Sequence, residues 1–263
     1  MSVQTEVRES VFHIRLDRPE KRNAFDDGIV QALINAFDRA AAEPGVRVIV
    51  LEAAGKHFSA GADLGWMRRM ADMSQEENRA DALQLATLMQ RIDHADKPVV
   101  CRVQGAAFGG ALGLICAADI AVAADDARFC LSEVRLGILP AVIAPYVVRA
   151  LGPRQAQRYF MTAEQIPAGR ALELGLVHEC VPEAELDAHI ATLVEALGQG
   201  APGAQLRSRE LIEHVAWKPA DREVLDWTAG LIARLRSGPE GREGLDAFLE
   251  KRSPAWRTDH SQN

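Results

Sequence analysis

An α/β fold followed by an all-helical C-terminal region is what this sequence predicts, on three observations. Apolar runs of strand length, such as 46–52 and 98–103, alternate with helix-length segments through the first half of the chain. Both runs lead directly into a turn of small residues. These are His57-Phe58-Ser59-Ala60-Gly61-Ala62-Asp63-Leu64 after the first and Gly105-Ala106-Ala107-Phe108-Gly109-Gly110 after the second. From Pro145 onward amphipathic helices take over, with Arg149, Arg154, Arg158 and Arg170 interleaved among apolar residues.

The elements follow in order. Val11, Ile14 and Leu16 mark a strand, and Arg18-Pro19-Glu20-Lys21-Arg22-Asn23 a polar turn. Over 26–42, Ile29, Leu33, Ile34 and Phe37 recur at helical spacing, with Asp26 or Asp27 placed to cap. The run at 46–51 is apolar enough for a strand buried in a sheet. A Met- and Arg-rich segment occupies 66–73. Ser74-Gln75-Glu76-Glu77 then has the spacing of a capping box, opening a helix that reaches Ile92. Residues 98–103 form the next strand, and Gly109-Gly110 opens a short helix over 111–117. Strands at 119–123 and 128–131 flank an Asp-Asp turn. Helices are expected at 188–197, 206–215 and 222–235, and the polar tail beyond Trp256 is expected to be disordered.

Composition bounds the function. A chain of 263 residues with 48% apolar content has ample material for a sizeable core, in one domain or two. Few aromatics and abundant alanine favour closely packed helices and small-residue turns. The net charge of −7 speaks against nucleic-acid binding, which needs a clustered basic surface. Cys101, Cys116, Cys130 and Cys180 lack CxxC spacing and read as reduced thiols of an intracellular protein, and the seven histidines show no metal spacing. The N-terminal residues carry no basic-then-apolar signal, and no apolar run approaches the length of a membrane span. A soluble, cytoplasmic protein with no membrane or nucleic-acid partner is expected.

Turns free of bulky side chains let backbone N–H groups approach a ligand closely. Two such donors converging on one carbonyl oxygen form an oxyanion hole, which stabilises an enolate or tetrahedral intermediate. The two small-residue turns stand in a fixed order with Asn23-Ala24-Phe25 before them, then Leu136-Gly137 ahead of Pro140, then Phe248-Leu249-Glu250-Lys251-Arg252. In these motifs the chain resembles the enoyl-CoA hydratase/isomerase (crotonase) superfamily nearly end to end. The resemblance implies a spiral of repeated ββα units over 1–200 that carries an acyl-CoA site. It also implies a helical region over 201–263 used for trimerisation, and so a homotrimer or a dimer of trimers. The N–H groups of Ala62 and Gly110 would polarise the thioester carbonyl, Gly110 aided by its place at a helix start. Glu133, in Leu131-Ser132-Glu133-Val134-Arg135-Leu136-Gly137, would be the general acid and base. Coenzyme A is then part of the acyl-CoA thioester substrate, with no separate cofactor. Its binding maps onto Arg22, Ala24, Lys56, Ala60, Ala62, Asp63 and Leu64. Lys251 matches a lysine that reaches the nucleotide phosphates from a neighbouring subunit as a point charge.

Hydratases of this superfamily usually carry another glutamate one helical turn after the oxyanion glycine, and this chain has Gly113 there. The space that Gly113 leaves is expected to serve the substrate. Glu133 lies among apolar residues, where desolvation raises a carboxyl pKa into a useful acid/base range. Asp63 is expected to fix its turn, Asp119 to tether the next strand, and His57 to play a supporting role. The runs 108–114, 131–137 and 140–148 further resemble bacterial hydratases of branched, carboxylated enoyl-CoAs. Those are the methylglutaconyl-CoA hydratases of leucine breakdown and the isohexenylglutaconyl-CoA hydratases of acyclic terpene breakdown. A buried acidic acyl group needs a cationic partner, for which Arg68, Arg69 and Arg135 are the sequence-near candidates. Trp66, Met67, Met70 and Met73 could line an adaptable acyl wall, although a packing stripe explains them equally well. Two other functions stay open: a double-bond isomerase, for which one glutamate suffices, and a catalytically inert acyl-CoA-binding homologue.

Overall fold

A computed structural model of the protein describes residues 2–257. It contains two compact units divided between Thr192 and Leu193. In the first unit, β1 (Val3–Arg8) and β2 (Val11–Leu16) form an antiparallel hairpin. Next comes α1 (Asp27–Ala42), which buries Ile29, Leu33, Ile34 and Phe37 on one face. Asp26 is its cap, with Oδ1 accepting from the Ile29 N–H at 3.0 Å. Every residue of β3 (Val48–Ala53) is buried, as a central parallel strand requires. Two helices follow, α2 (Leu64–Ala71) and α3 (Gln75–Asp93), and α3 opens on the complete Ser74–Glu77 capping box.

The chain then repeats one pattern. β4 (Val99–Val103), β5 (Ala106–Phe108) and α4 (Ala111–Ala117) form one unit; β6 (Ile120–Ala124), β7 (Arg128–Cys130) and α5 (Ala144–Thr162) form the next. The first strand of each joins a six-stranded sheet of order β1-β2-β3-β4-β6-β9, parallel except for the opening hairpin. The second strand of each joins a three-stranded sheet of order β5-β7-β8. This is the coil of ββα units that the resemblance implies. β8 (Ile166–Pro167), α6 (Ala168–Glu173), β9 (Glu179–Val181) and α7 (Leu186–Gln199) complete the sequence of elements up to the division, which falls within α7. Ile49, Leu51, Val99, Cys101 and Val103 of the large sheet share one core with Leu88, Met89 and Ile92 of α3 and with Leu112 and Ile115 of α4.

Several features depart from the expected elements, among them β8 and β9, two strands beyond Pro145 where only helices were expected. β1 is mostly exposed, so it lacks the apolar alternation that would reveal it. β5 lies inside what reads as a single glycine turn. α5 is two helical pieces joined at a kink, where Gly152 is extended with positive φ and Pro153 follows. The second unit holds α8 (Pro202–Val215), α9 (Arg222–Ser237) and α10 (Pro239–Glu250), with no strand among its described residues. Glu240 binds the free N–H groups of Gly203 and Ala204 at the start of α8, at 2.9 and 3.1 Å. The tail expected to be disordered lies outside the described residues beyond Arg257. All four cysteines are free, three of them buried. Among the described residues no helix is long and apolar enough to cross a membrane.

Candidate active site

The first small-residue turn is built around a residue absent from the expected site. Asn23 is almost fully buried, in the left-handed region at φ 52°, which asparagine tolerates better than most residues. Its Nδ2 donates to the carbonyls of Ala54 and His57, both at 2.8 Å, and its Oδ1 accepts from the Arg18 N–H at 2.8 Å. Its own carbonyl accepts from Ser59 Oγ at 2.8 Å, and that hydroxyl in turn accepts from the Gly61 N–H. One amide thereby ties the polar turn at 18–25 to the turn at 54–62. The Ala60 N–H donates to Arg22 O, Phe25 N–H to Gly61 O, and Asp63 N–H to Phe25 O, each at 2.9 Å.

Backbone bonds also strap this turn to the second one. Phe58 N–H donates to Gln104 O, Ser59 N–H to Ala106 O, and Phe108 N–H to Ser59 O. Gly61 has φ +90°, and a methyl on it would stand 2.9 Å from Phe108 O and 3.8 Å from the Gly109 Cα. His57 has the expected supporting role, its Nδ1 accepting from the Ala106 N–H at 3.1 Å. Burial holds its pKa down, which keeps that nitrogen an acceptor. Most N–H groups in the two turns are thus committed. Two of the N–H groups left over matter: neither the Ala62 N–H nor the Gly110 N–H finds an acceptor among the described residues. Both flank Phe25, which bridges to Ala62 and whose ring would touch a methyl on Gly110 at 2.9 Å.

Glu133 opens a 3₁₀ turn over Glu133–Leu136, just after β7. Its Oε1 would lie 3.4 Å from a methyl on Gly109, so the carboxylate stands against the second small-residue turn. Oε2 is buried with no hydrogen-bond partner among the described residues. Burial raises the Glu133 pKa above the ordinary carboxylate range. An acid with one oxygen kept out of water, against the turn that carries the uncommitted Gly110 N–H, can pass a proton to or from an atom held at that turn.

The expected vacancy at Gly113 is not there. A methyl on Gly113 would come within 2.3 Å of Ile143 Cγ2 and 2.8 Å of Met89 Sδ. Side chains from α3 and from the residue before α5 fill the position, so Gly113 offers no room to a substrate, and the expected substrate-binding role is withdrawn. The other expected residues are placed as follows. Arg22, Lys56, Ala62 and Leu64 are exposed on the strapped turns, Ala60 and Asp63 are partly buried, and Ala24 is buried. Lys251 closes α10 in the second unit. Asp63 caps α2, accepting from the Gly65 and Trp66 N–H groups at 2.8 and 3.3 Å. Burial opposes its charge, but those N–H groups together with Lys21 and Arg18 prevail and hold its carboxyl below the usual range. Asp119 Oδ2 accepts from the Val99 N–H at 2.8 Å, the expected tether.

Of the three candidate arginines, Arg69 pairs with Asp27 at 2.7 Å and Arg135 donates to the Ala163 carbonyl at 2.7 Å. Arg68 is exposed and makes no hydrogen bond or ion pair among the described residues. Trp66 belongs to the core, with Nε1 donating to Asp81 at 3.2 Å, whereas Met67, Met70 and Met73 keep part of their surface in solvent.

Residues 6–259 match the family model described as enoyl-CoA hydratase/isomerase. A crystal structure of an enoyl-CoA hydratase from Shewanella pealeana ATCC 700345 superposes with a TM-score of 0.94 at 45% identity, covering 97% of this chain and 96% of that one. A provisionally named enoyl-CoA hydratase of Thermus thermophilus is 34% identical over 91% of this chain and 94% of its own length. The trans-2-decenoyl-[acyl-carrier-protein] isomerase of Streptococcus mutans is 31% identical over 94% and 95%. With the coil of ββα units, the strapped turns and a match over almost the whole length, the chain belongs to the enoyl-CoA hydratase/isomerase family.

Proposed function

We propose that this protein adds water to a branched, carboxylated 2-enoyl-CoA of the methylglutaconyl-CoA type. The observation that carries the hydration chemistry is the Glu133 carboxylate, its Oε2 buried without a partner, against the turn whose Gly110 N–H is uncommitted. In this reading the Ala62 and Gly110 N–H groups hold the thioester oxygen. Glu133 takes a proton from water as its oxygen bonds to the β-carbon, and the π electrons move onto the thioester as an enolate. The enolate collapses as Glu133 returns a proton to the α-carbon, so one carboxylate serves twice and no net proton is exchanged. Arg22, Ala24, Lys56, Ala60, Asp63 and Leu64 bind the CoA arm, and Lys251 of a neighbouring subunit the nucleotide phosphates. The active form is a homotrimer or a dimer of trimers in the cytoplasm.

The acyl preference rests on the runs 108–114, 131–137 and 140–148, and on Arg68 as a cation free to meet a substrate carboxylate. A second reading, isomerisation of the double bond, draws support from the filled Gly113 position, which leaves a single carboxylate to move a proton between carbons. A panel of crotonyl-, 3-methylglutaconyl-, isohexenylglutaconyl- and 3-enoyl-CoA tests both. Loss of the enoyl thioester absorbance with a 3-hydroxyacyl product, fastest on a glutaconyl ester, is expected. Its gain from 3-enoyl-CoA alone would establish the isomerase, and binding without turnover an inert homologue.

A further inference from the structure

Glu133 Oε2 is without a partner, and the hydrogen bond its carboxylate does receive comes from its own backbone N–H. Its orientation must therefore come from the backbone of the turn that carries it. That turn continues into a poorly anchored stretch, with Leu136, Ile138 and Leu139 all exposed. What holds it is one carbonyl. Ala163, fully buried and in the left-handed region at φ 50°, ends α5, and its oxygen receives two donors. Arg135 Nη2 donates at 2.7 Å from one side of Glu133, and Cys130 Sγ donates at 3.2 Å from the other. Burial pushes the Cys130 thiol pKa up, which keeps it a protonated donor. The Cys130 carbonyl in turn accepts the Gly109 N–H at 2.8 Å. The segment between residues 130 and 135 is thus clamped at both ends to one point, and the same segment holds the glycine turn against which the carboxylate stands.

We propose that Arg135 is a positioning residue for Glu133, fixing the carboxylate against the second small-residue turn through its bond to the Ala163 carbonyl. A guanidinium suits the task because its charge strengthens the hydrogen bond and its length reaches a carbonyl that the thiol alone would leave half satisfied. Displacing a reacting group by about 1 Å costs a rate on the order of 10²-fold. The inference rests on the reading of Glu133 given above. It departs from the expectation that Arg135 meets a substrate carboxylate.

The test compares wild type, Arg135→Met, Arg135→Lys and Glu133→Gln on the best ester of the panel and on crotonyl-CoA. For Arg135→Met, kcat should fall about 10- to 100-fold while KM stays within about two-fold. The acid limb of its pH profile should move down toward the ordinary glutamate range, because a carboxylate released from its place regains water. Arg135→Lys, which keeps a charged donor, should recover part of the rate. An Arg135→Met protein with wild-type kcat and an unmoved acid limb overturns the proposal. So does a defect confined to KM for carboxylated esters, which would make Arg135 a reader of substrate charge. If Arg135→Met does not fold, Arg135→Gln is measured by the same criteria. A fully active Glu133→Gln protein would instead remove the reading of Glu133 itself, whereas an inactive one beside an active Arg135→Met sinks this inference alone.

Discussion

At the scale of single residues, the carboxyl of Glu133 sets the first expectation. Replacing it with glutamine should leave CoA-ester binding intact and lower turnover by about 10² or more, measured as kcat on the preferred ester. Its pKa is raised in the folded protein by burial, so ionisation works against folding. The wild type should therefore lose stability relative to Glu133→Gln as pH climbs from the ordinary glutamate value through the raised one. Below that window the two should differ little, and chemical denaturation at a series of pH values reads the difference. Gly113→Glu makes the opposite kind of test. With Ile143 Cγ2 at 2.3 Å and Met89 Sδ at 2.8 Å from the first added carbon, the substitution overpacks the core. A loss of at least about 1–3 kcal/mol is expected by the same method. Glu133, Ala62 and Gly110 were legible as candidates because motif order locates them. The plug at Gly113 was not, since Met89 and Ile143 come from elements that no spacing along the chain brings to that point. Asn23 was visible only as part of a turn motif. Three of the hydrogen bonds it makes arise from long-range pairing with residues 54–59.

Among elements, those with an apolar period or a cap announced themselves. α1 has its face of Ile29, Leu33, Ile34 and Phe37 with Asp26 as cap; α3 has Ser74 and Glu77; β3 is an unbroken apolar run. The elements that stayed hidden are those whose stability comes from partners. β1 is paired along its whole length with β2 while exposing most of its side chains, and β5 is three residues held by β7. The kink in α5 could be sensed from Gly152-Pro153, but not that the two pieces continue one another. The strapped turns depend on Asn23 more than on any regular element. Asn23→Ala would strand the buried carbonyls of Ala54 and His57, so a loss of about 2–4 kcal/mol is expected in equilibrium unfolding. If unfolding midpoints stayed within a few tenths of a kcal/mol of wild type, the amide would not be the tie described.

For the whole molecule, the α/β-then-α order was legible in the change of pattern, although β8 and β9 carry the sheets beyond Pro145, where only helices were expected. The coil of ββα units came from resemblance and not from periodicity. The division at Thr192 is a property of packing and has no mark in the sequence. Leu245, Phe248 and Leu249 of the second unit are exposed in the single chain, more apolar surface than a lone helix end presents to water without cause. A trimer or a dimer of trimers is therefore expected in light scattering, and a monomer at micromolar concentration would reject the proposed assembly. One consequence concerns how the protein is made. The bond from Arg135 to the Ala163 carbonyl steadies the proposed carboxylate, about a hundred residues after Ala62. Translation adds about 5–20 residues per second, so the two small-residue turns leave the ribosome seconds before the piece proposed to steady the carboxylate. A nascent chain arrested before residue 163 should thus be silent toward thioesters. Catalytic competence arrives late in synthesis, after the half-built centre has already been exposed to the cell.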